Sequence, residues 1–263
     1  MKQSKNVINE RRHRIISLLD QYGTVRVSDL GSMLGVSEIT VRRDLEKLSS
    51  EGLVHRQFGT ASLNMESDSV PQLFEDKNHV RLFQKQAIAR YIADMVKDGD
   101  TVFLNGGTTT MEVLRLIKGK NIVIVTNNAL ACTVMQNCRA SLISTGGEYN
   151  PHNQSYTGAM ASALIQRINA TICVLGINGI TADSGITSSN YLETLINEEM
   201  IKRCQGKCIV AADSSKIGKI YKFCTSPISS IDLLVTDSGI MPEQLERFKQ
   251  TGMEVVLADK FSI

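Results

Sequence analysis

Apolar positions in the first fifty residues recur at helical spacing and are interrupted by glycines. Ile15, Ile16, Leu18 and Leu19 form a stripe within Asn9 to Gln21, the first predicted helix, which Tyr22-Gly23 ends. Val27-Ser28-Asp29-Leu30 opens a short second helix with Ser28 or Asp29 as its cap. It runs to Leu34, and Gly35 follows as a helix C-terminus prefers. Ser37 suits the N-cap of a third helix, because its hydroxyl can accept a bond from a free amide of the first turn. Val36 before that cap and Val41 after it have the spacing of a hydrophobic staple. Val41, Leu45 and Leu48 follow the i, i+4, i+7 rule and face a core, which leaves Arg42 and Arg43 outside. Glu51-Gly52 ends the helical pattern, and Leu53 to Leu63 reads as two short strands around a turn.

Further along, the period changes. Residues 64–84 are polar, contain Pro71 and show no repeat, so they read as a linker between domains 1–63 and 85–263. From Lys85, helical and strand-like runs alternate. Ala87, Ile88, Tyr91, Ile92, Met95 and Val96 mark a helix ended by Asp98-Gly99-Asp100. Short apolar runs follow at Thr101–Leu104, Asn121–Thr126, Ser141–Ser144, Thr171–Gly176, Lys207–Ala212, Asp232–Thr236 and Met253–Leu257. Such runs separated by helices predict an α/β, Rossmann-like domain with a mostly parallel sheet covered on both faces. Ligands of such sheets bind at the carboxyl ends of the strands.

Three helices with these breaks and a hairpin make a winged helix-turn-helix, its core motif spanning Val25 to Asp44. A helix whose start carries Ser37, Glu38, Thr40, Arg42 and Arg43 can touch base edges and bind guanine or phosphate. Ser28 on the second helix, and His55 and Arg56 on the hairpin, complete the candidate contacts to double-stranded operator DNA. Charge supports this modestly. The 263-residue chain has a net charge of +2, yet residues 1–64 carry 10 basic against 7 acidic side chains. The small excess disfavours a protein that coats DNA without sequence preference. Six cysteines show no CxxC and no nearby histidine at ligand spacing, so they predict a reduced, cytoplasmic protein without a metal. No apolar run of about 18 residues predicts a membrane span.

The run Ser37-Glu38-x-Thr40-Val41-Arg42-Arg43-Asp44-Leu45, followed by Gly52-Leu53-Val54-x-Arg56, resembles the DeoR-type winged helix of bacterial sugar-catabolism regulators.

The loops after the predicted strands are polar and rich in glycine. Asn105-Gly106-Gly107-Thr108-Thr109-Thr110 stands directly before a helix, where backbone amides, threonine hydroxyls and the helix N-terminus favour an anion. It is neither a Walker loop nor a dinucleotide fingerprint. Asn127-Asn128, Gly146-Gly147, Asn178-Gly179 and the Asp213 to Lys216 loop converge on the same sheet edge. Together they point to a phosphorylated sugar or polyol, with no other cofactor. These segments and Gly185-Ile186-Thr187 resemble the DeoR sensor domain, which shares its fold with ribose-phosphate isomerase and glucosamine-phosphate deaminase. The resemblance implies a repressor that binds a phosphorylated pathway intermediate and works as a homo-oligomer, a dimer or tetramer. Two positions depart from that pattern: Asn105 stands where an aspartate is usual, and Asn197 where a basic residue commonly follows Glu193.

The rival reading is a sugar-phosphate isomerase or deaminase fused to a DNA-binding module. That chemistry needs a positioned general base. Where the deaminase pattern has Asp-Gly-His this chain has Asn178-Gly179-Ile180, and neither an amide nor an isoleucine moves a proton. The sequence therefore predicts a regulator and no enzyme.

Overall fold

Lys5–Tyr22 forms α1, and the chain then makes a two-residue strand, β1 (Val25–Arg26), before α2 (Val27–Leu34), α3 (Glu38–Ser50), β2 (Val54–Gln57) and β3 (Thr60–Leu63). The computed structural model describes residues 5–50, 54–57, 59–63 and 81–261. The chain divides into two compact units, Met1–Leu82 and Phe83–Ile263.

In the first unit Ile15, Ile16, Leu19, Leu30, Val41, Leu45 and Leu48 close one core with Val54 and Ala61 of the hairpin. Gly35 ends α2 at φ 66°, the left-handed conformation that glycine adopts without a Cβ penalty. Three expectations need correction. The first helix starts at Lys5, not Asn9. The hairpin has a third strand, since Val25 pairs with Ala61 and Arg26 with Thr60, giving the order β1-β3-β2. That strand explains the third difference. Arg26, extended, occupies the position before α2, and neither Ser28 nor Asp29 caps the helix. The wing turn does part of that work instead: Val27 N donates to Gly59 O at 2.9 Å.

The second unit begins within α4 (Leu82–Met95), which enters the segment expected to be linker at residues 82–84. Of the rest of that linker, Arg81 is a turn and 64–80 lies outside the described residues. Next come β4 (Thr101–Leu104), α5 (Thr108–Ile117), β5 (Val123–Thr126), α6 (Ala131–Val134), β6 (Ser141–Ser144), and a hairpin of β7 (Glu148–Asn150) and β8 (Ser155–Thr157). The chain continues through α7 (Ala159–Ile165), β9 (Ala170–Leu175), β10 (Gly179–Thr181), β11 (Gly185–Ser188), α8 (Tyr191–Arg203) and β12 (Cys204–Ala211). It ends with β13 (Phe223–Ser226), β14 (Leu233–Thr236), α9 (Pro242–Gln250) and β15 (Glu254–Leu257).

Among the described residues seven strands form one parallel sheet in the order β15-β14-β12-β9-β4-β5-β6. Strand period sorts its side chains onto two faces. Val102, Leu104, Ile172, Val174, Ile209 and Ala211 pack with Ile88, Ile92, Val113 and Leu114 of α4 and α5. Phe103, Cys173, Leu175, Cys208 and Val210 pack with Ile165, Ile196, Met200 and Phe248 on the other side. Because all seven strands run the same way, the loops after β4, β5, β6, β9 and β12 emerge on one edge. The antiparallel hairpin β7-β8 and the small sheet β10-β11-β13 add to that framework and were not anticipated.

Candidate DNA interface and effector site

Ser37 opens α3 as its capping residue: its Oγ accepts from Thr40 N at 3.4 Å and lies 3.0 Å from Thr40 Oγ1. Arg42 points outward and pairs with Glu38 one turn earlier at 3.3 Å, with both side chains half exposed. Solvent screens such a pair, so a DNA phosphate can displace Glu38 at little cost. Arg43 is exposed and has no ion pair among the described residues. On β2 His55 and Arg56 are exposed, and Arg56 reaches Glu46 of α3 at 3.5 Å, tying the wing to the helix. Ser28 is exposed on α2, with its hydroxyl 3.3 Å from Asp29 Oδ1.

One functional support went unread in the sequence. Asp44 is 2 % exposed, and its two carboxylate oxygens accept from Arg11 Nε at 2.5 Å and Arg12 Nε at 3.0 Å. It fixes α3 on α1 while Arg42 and Arg43 face away.

On the sensor unit, the loop after β4 divides into two sets of residues. Asn105, Gly107 and Thr110 are consumed by the protein. Asn105 is buried; its Nδ2 donates to Gly176 O at 2.7 Å and Asn197 Oδ1 at 2.9 Å, while its Oδ1 accepts from Gly176 N at 2.8 Å. Thr110 Oγ1 donates to Asn105 O and Gly107 O, and it accepts from Gly107 N at 3.0 Å. These residues shape the turn and lock it to the loop after β9. The two departures from the family pattern thus meet in one bond. An aspartate at 105 would lack the N–H that Gly176 O and Asn197 Oδ1 receive, so the amides at 105 and 197 belong together.

Gly106, Thr108 and Thr109 form the other set. Thr108 and Thr109 are the first two residues of α5, whose amides have no intrahelical acceptor, and these N–H groups carry the positive end of the helix dipole. No hydrogen bond occupies either threonine hydroxyl among the described residues. Gly106 passes so near the hairpin that a Cβ there would lie 2.7 Å from Ser155 Cβ.

Beside it, Asn127 and Asn128 directly follow β5, and both are 2 % exposed. Asn127 Nδ2 donates to Tyr156 O at 2.9 Å, which fixes the amide orientation and leaves Oδ1 without a partner. Asn128 Oδ1 accepts from Leu130 N at 2.9 Å, which leaves Nδ2 unpaired. A buried acceptor and a buried donor thus remain unsatisfied in the loop beside the one that leads into α5, each at a desolvation cost of about 1–3 kcal/mol until a ligand or water meets it.

Sequence reasoning missed the opposite wall. Asn190 caps α8, accepting from Leu192 N and Glu193 N. Glu193 Oε1 then accepts from Asn153 Nδ2 at 2.5 Å and Ser155 Oγ at 3.4 Å. Ser155 is fully buried in a polar three-residue strand, and nothing in its neighbours' spacing marks it.

The remaining candidates stand further out. Asn178 Oδ1 accepts from Ser188 Oγ at 3.0 Å. Gly179 belongs to β10, where a Cβ would meet Lys219 O at 2.5 Å, so packing accounts for it. Gly146 and Gly147 have φ 59° and 109°, which turn the chain into β7. Lys216 sits half-buried after β12 without an ion pair among the described residues, and Asp213 Oδ1 is taken by the backbone and hydroxyl of Ser215.

Burial pushes the Cys173 thiol well above its usual pKa, and it pushes Cys204 up to about 11. Among the described residues no cluster of His, Cys, Asp and Glu could hold a metal, and no helix is long and apolar enough to cross a membrane.

Comparison with known proteins covers both units. The DeoR C-terminal sensor domain matches residues 81–238, and the DeoR-like helix-turn-helix domain matches residues 11–67. A putative aga operon transcriptional repressor of Escherichia coli O157:H7 is 31% identical, over 95% of this chain and 93% of its own. The glycerol-3-phosphate regulon repressor of Escherichia coli K12 is 31% identical over 87% and 90%. The lactose phosphotransferase system repressor of Lactococcus lactis is 28% identical over 91% and 95%. Among solved structures, ribose 5-phosphate isomerase A from Neisseria gonorrhoeae is similar at TM-score 0.38 and 13% identity, over 51% of this chain and 52% of that one. A likeness that slight carries no argument.

Proposed function

The chain belongs to the DeoR family of DNA-binding transcriptional regulators and is not an enzyme, and from that premise we propose that it represses a carbohydrate-catabolism operon and is released by a phosphorylated sugar or polyol. The relatives named for aga, lactose and glycerol-3-phosphate systems support the class of target. One observation supports the effector most: the free N-terminal amides of α5 beside the unpaired Asn127 Oδ1 and Asn128 Nδ2.

In this reading the phosphate rests on the Gly106, Thr108 and Thr109 amides and the two threonine hydroxyls. Strands lie about 4.8 Å apart, so β12 stands roughly 10 Å from β4, a span that the Lys216 side chain shortens to bring its charge toward the anion. Asn127 Oδ1 accepts from a ligand hydroxyl and Asn128 Nδ2 donates to one. Asn178, Gly146 and Gly147 line the outer rim. Asn105, Gly107 and Thr110 hold the loop in shape without touching the ligand. The protein works in the cytoplasm as a homo-oligomer.

A thermal-shift series tests the effector class. A ligand that binds only the native state stabilises it by about 2.7 kcal/mol at one hundred times its Kd. Phosphorylated sugars should raise the melting temperature, and their unphosphorylated parents at equal concentration should not. Equal shifts from both would remove the phosphate from the reading.

A further inference from the structure

The outer face of α3 carries one large apolar side chain. Ile39 is 66% exposed and follows the capping Ser37 by two residues. At about 100° per residue it lies about 160° around the helix from the buried Val41, which places it at the crown of the face turned from the core. Arg43 stands one turn further along the same ridge and Arg42 beside it.

A scattered exposed isoleucine needs no explanation in general. Here its surroundings narrow the choice. The flanking guanidinium groups call for an anionic partner, and the capped helix start calls for one that admits a helix end. Isoleucine is also a stiff side chain with one dominant rotamer in a helix, so little entropy is lost when it is docked. The major groove meets both conditions, and the thymine C5-methyl is the apolar group displayed on its floor.

We infer that Ile39 determines sequence specificity by packing on a thymine methyl of the operator. The inference rests on α3 entering the major groove. It requires at least one thymine per half-site opposite the first turn of α3, flanked by bases or phosphates that Arg42 and Arg43 meet.

The full chain can be used to select its preferred sequence from a random-duplex library. Each thymine of that duplex is then replaced singly by deoxyuridine, which removes only the methyl. Fluorescence anisotropy should find one position per half-site where binding falls about fourfold, the worth of one buried methyl-sized group. Ile39→Ser should bind that duplex and its deoxyuridine version equally, with an unchanged salt slope because the phosphate contacts remain. A wild-type profile flat at every thymine, or an Ile39→Ser profile identical to wild type, overturns the inference. Arg43→Ala in the same titration separates the two levels. If it leaves affinity unchanged, α3 is not in the groove; if it weakens binding while Ile39→Ser keeps the wild-type profile, only the role of Ile39 falls.

Discussion

Arg42, Arg43 and Asp44 are consecutive, yet each meets different surroundings. Arg42 shares an exposed pair with Glu38, Arg43 is exposed with no ion pair among the described residues, and Asp44 is buried between Arg11 and Arg12. The helical stripe of Val41, Leu45 and Leu48 was enough to send both arginines outward. It said nothing of Asp44, because its partners lie 32 and 33 residues earlier in the chain and no local period connects them. The consequences separate cleanly. Arg43→Ala should weaken binding to the selected operator by about 1–3 kcal/mol if it reads a base, with the melting temperature unchanged. Asp44→Ala should instead destabilise the winged helix by about 3 kcal/mol, since it removes the buried carboxylate that both Arg11 and Arg12 meet. Titration with the selected operator checks the first and urea denaturation of both variants the second, and an Asp44→Ala protein as stable as wild type would remove the structural role given to that ion triad.

At the level of elements, legibility followed the strength of the hydrophobic signal. The strands of the large sheet are apolar runs and α4 carries a stripe, so these were read with small errors at their ends, whereas α7, α8 and α9 were not located. The hairpin β7-β8 and the sheet β10-β11-β13 are strands of three or four residues rich in Ser, Thr, Tyr and Gly, which look like loop. They pair because neighbouring elements hold them, a cause that no single-sequence window contains. Half of the candidate site was lost in the same way: the Gly/Thr loop was visible, while Ser155 and the capped α8 that brings Glu193 to it were not. The cost of this contact is measurable at Gly106. A Cβ there would collide with Ser155 Cβ at 2.7 Å, and both atoms sit on or beside backbone with little freedom to move. Gly106→Ala should therefore cost about 1–3 kcal/mol by overpacking and push the hairpin off the loop. Thermal denaturation would register the loss, and effector affinity should fall with it. A variant that keeps both stability and effector binding would show that the loop yields freely.

For the whole molecule the question is how a ligand on one unit alters the affinity of the other for DNA. A ligand shifts such an equilibrium only by its differential affinity for the two states, and typical couplings of about 1–3 kcal/mol give roughly 5- to 150-fold in operator affinity. Symmetry enters because one winged helix covers a short half-site, and operators of useful specificity pair two half-sites about a dyad. The intact chain should accordingly be at least a dimer by light scattering at micromolar concentration, and a monomer there would argue against dyad binding. The effector should then release the dimer from its duplex, and in the proposed reading it does so through the residues at the α5 N-terminus. Thr109→Ala combined with Lys216→Ala removes a hydroxyl donor and the counter-charge, and it leaves every group on α3 in place. Gel shifts with the selected duplex should show wild-type affinity in this double variant and no release by the sugar phosphate that raises the wild-type melting temperature. The outcome in a cell is repression that the inducing sugar cannot lift. Release at the wild-type effector concentration would move the phosphate to another part of the sheet edge, since a cradle that lost both groups could not hold the anion equally well.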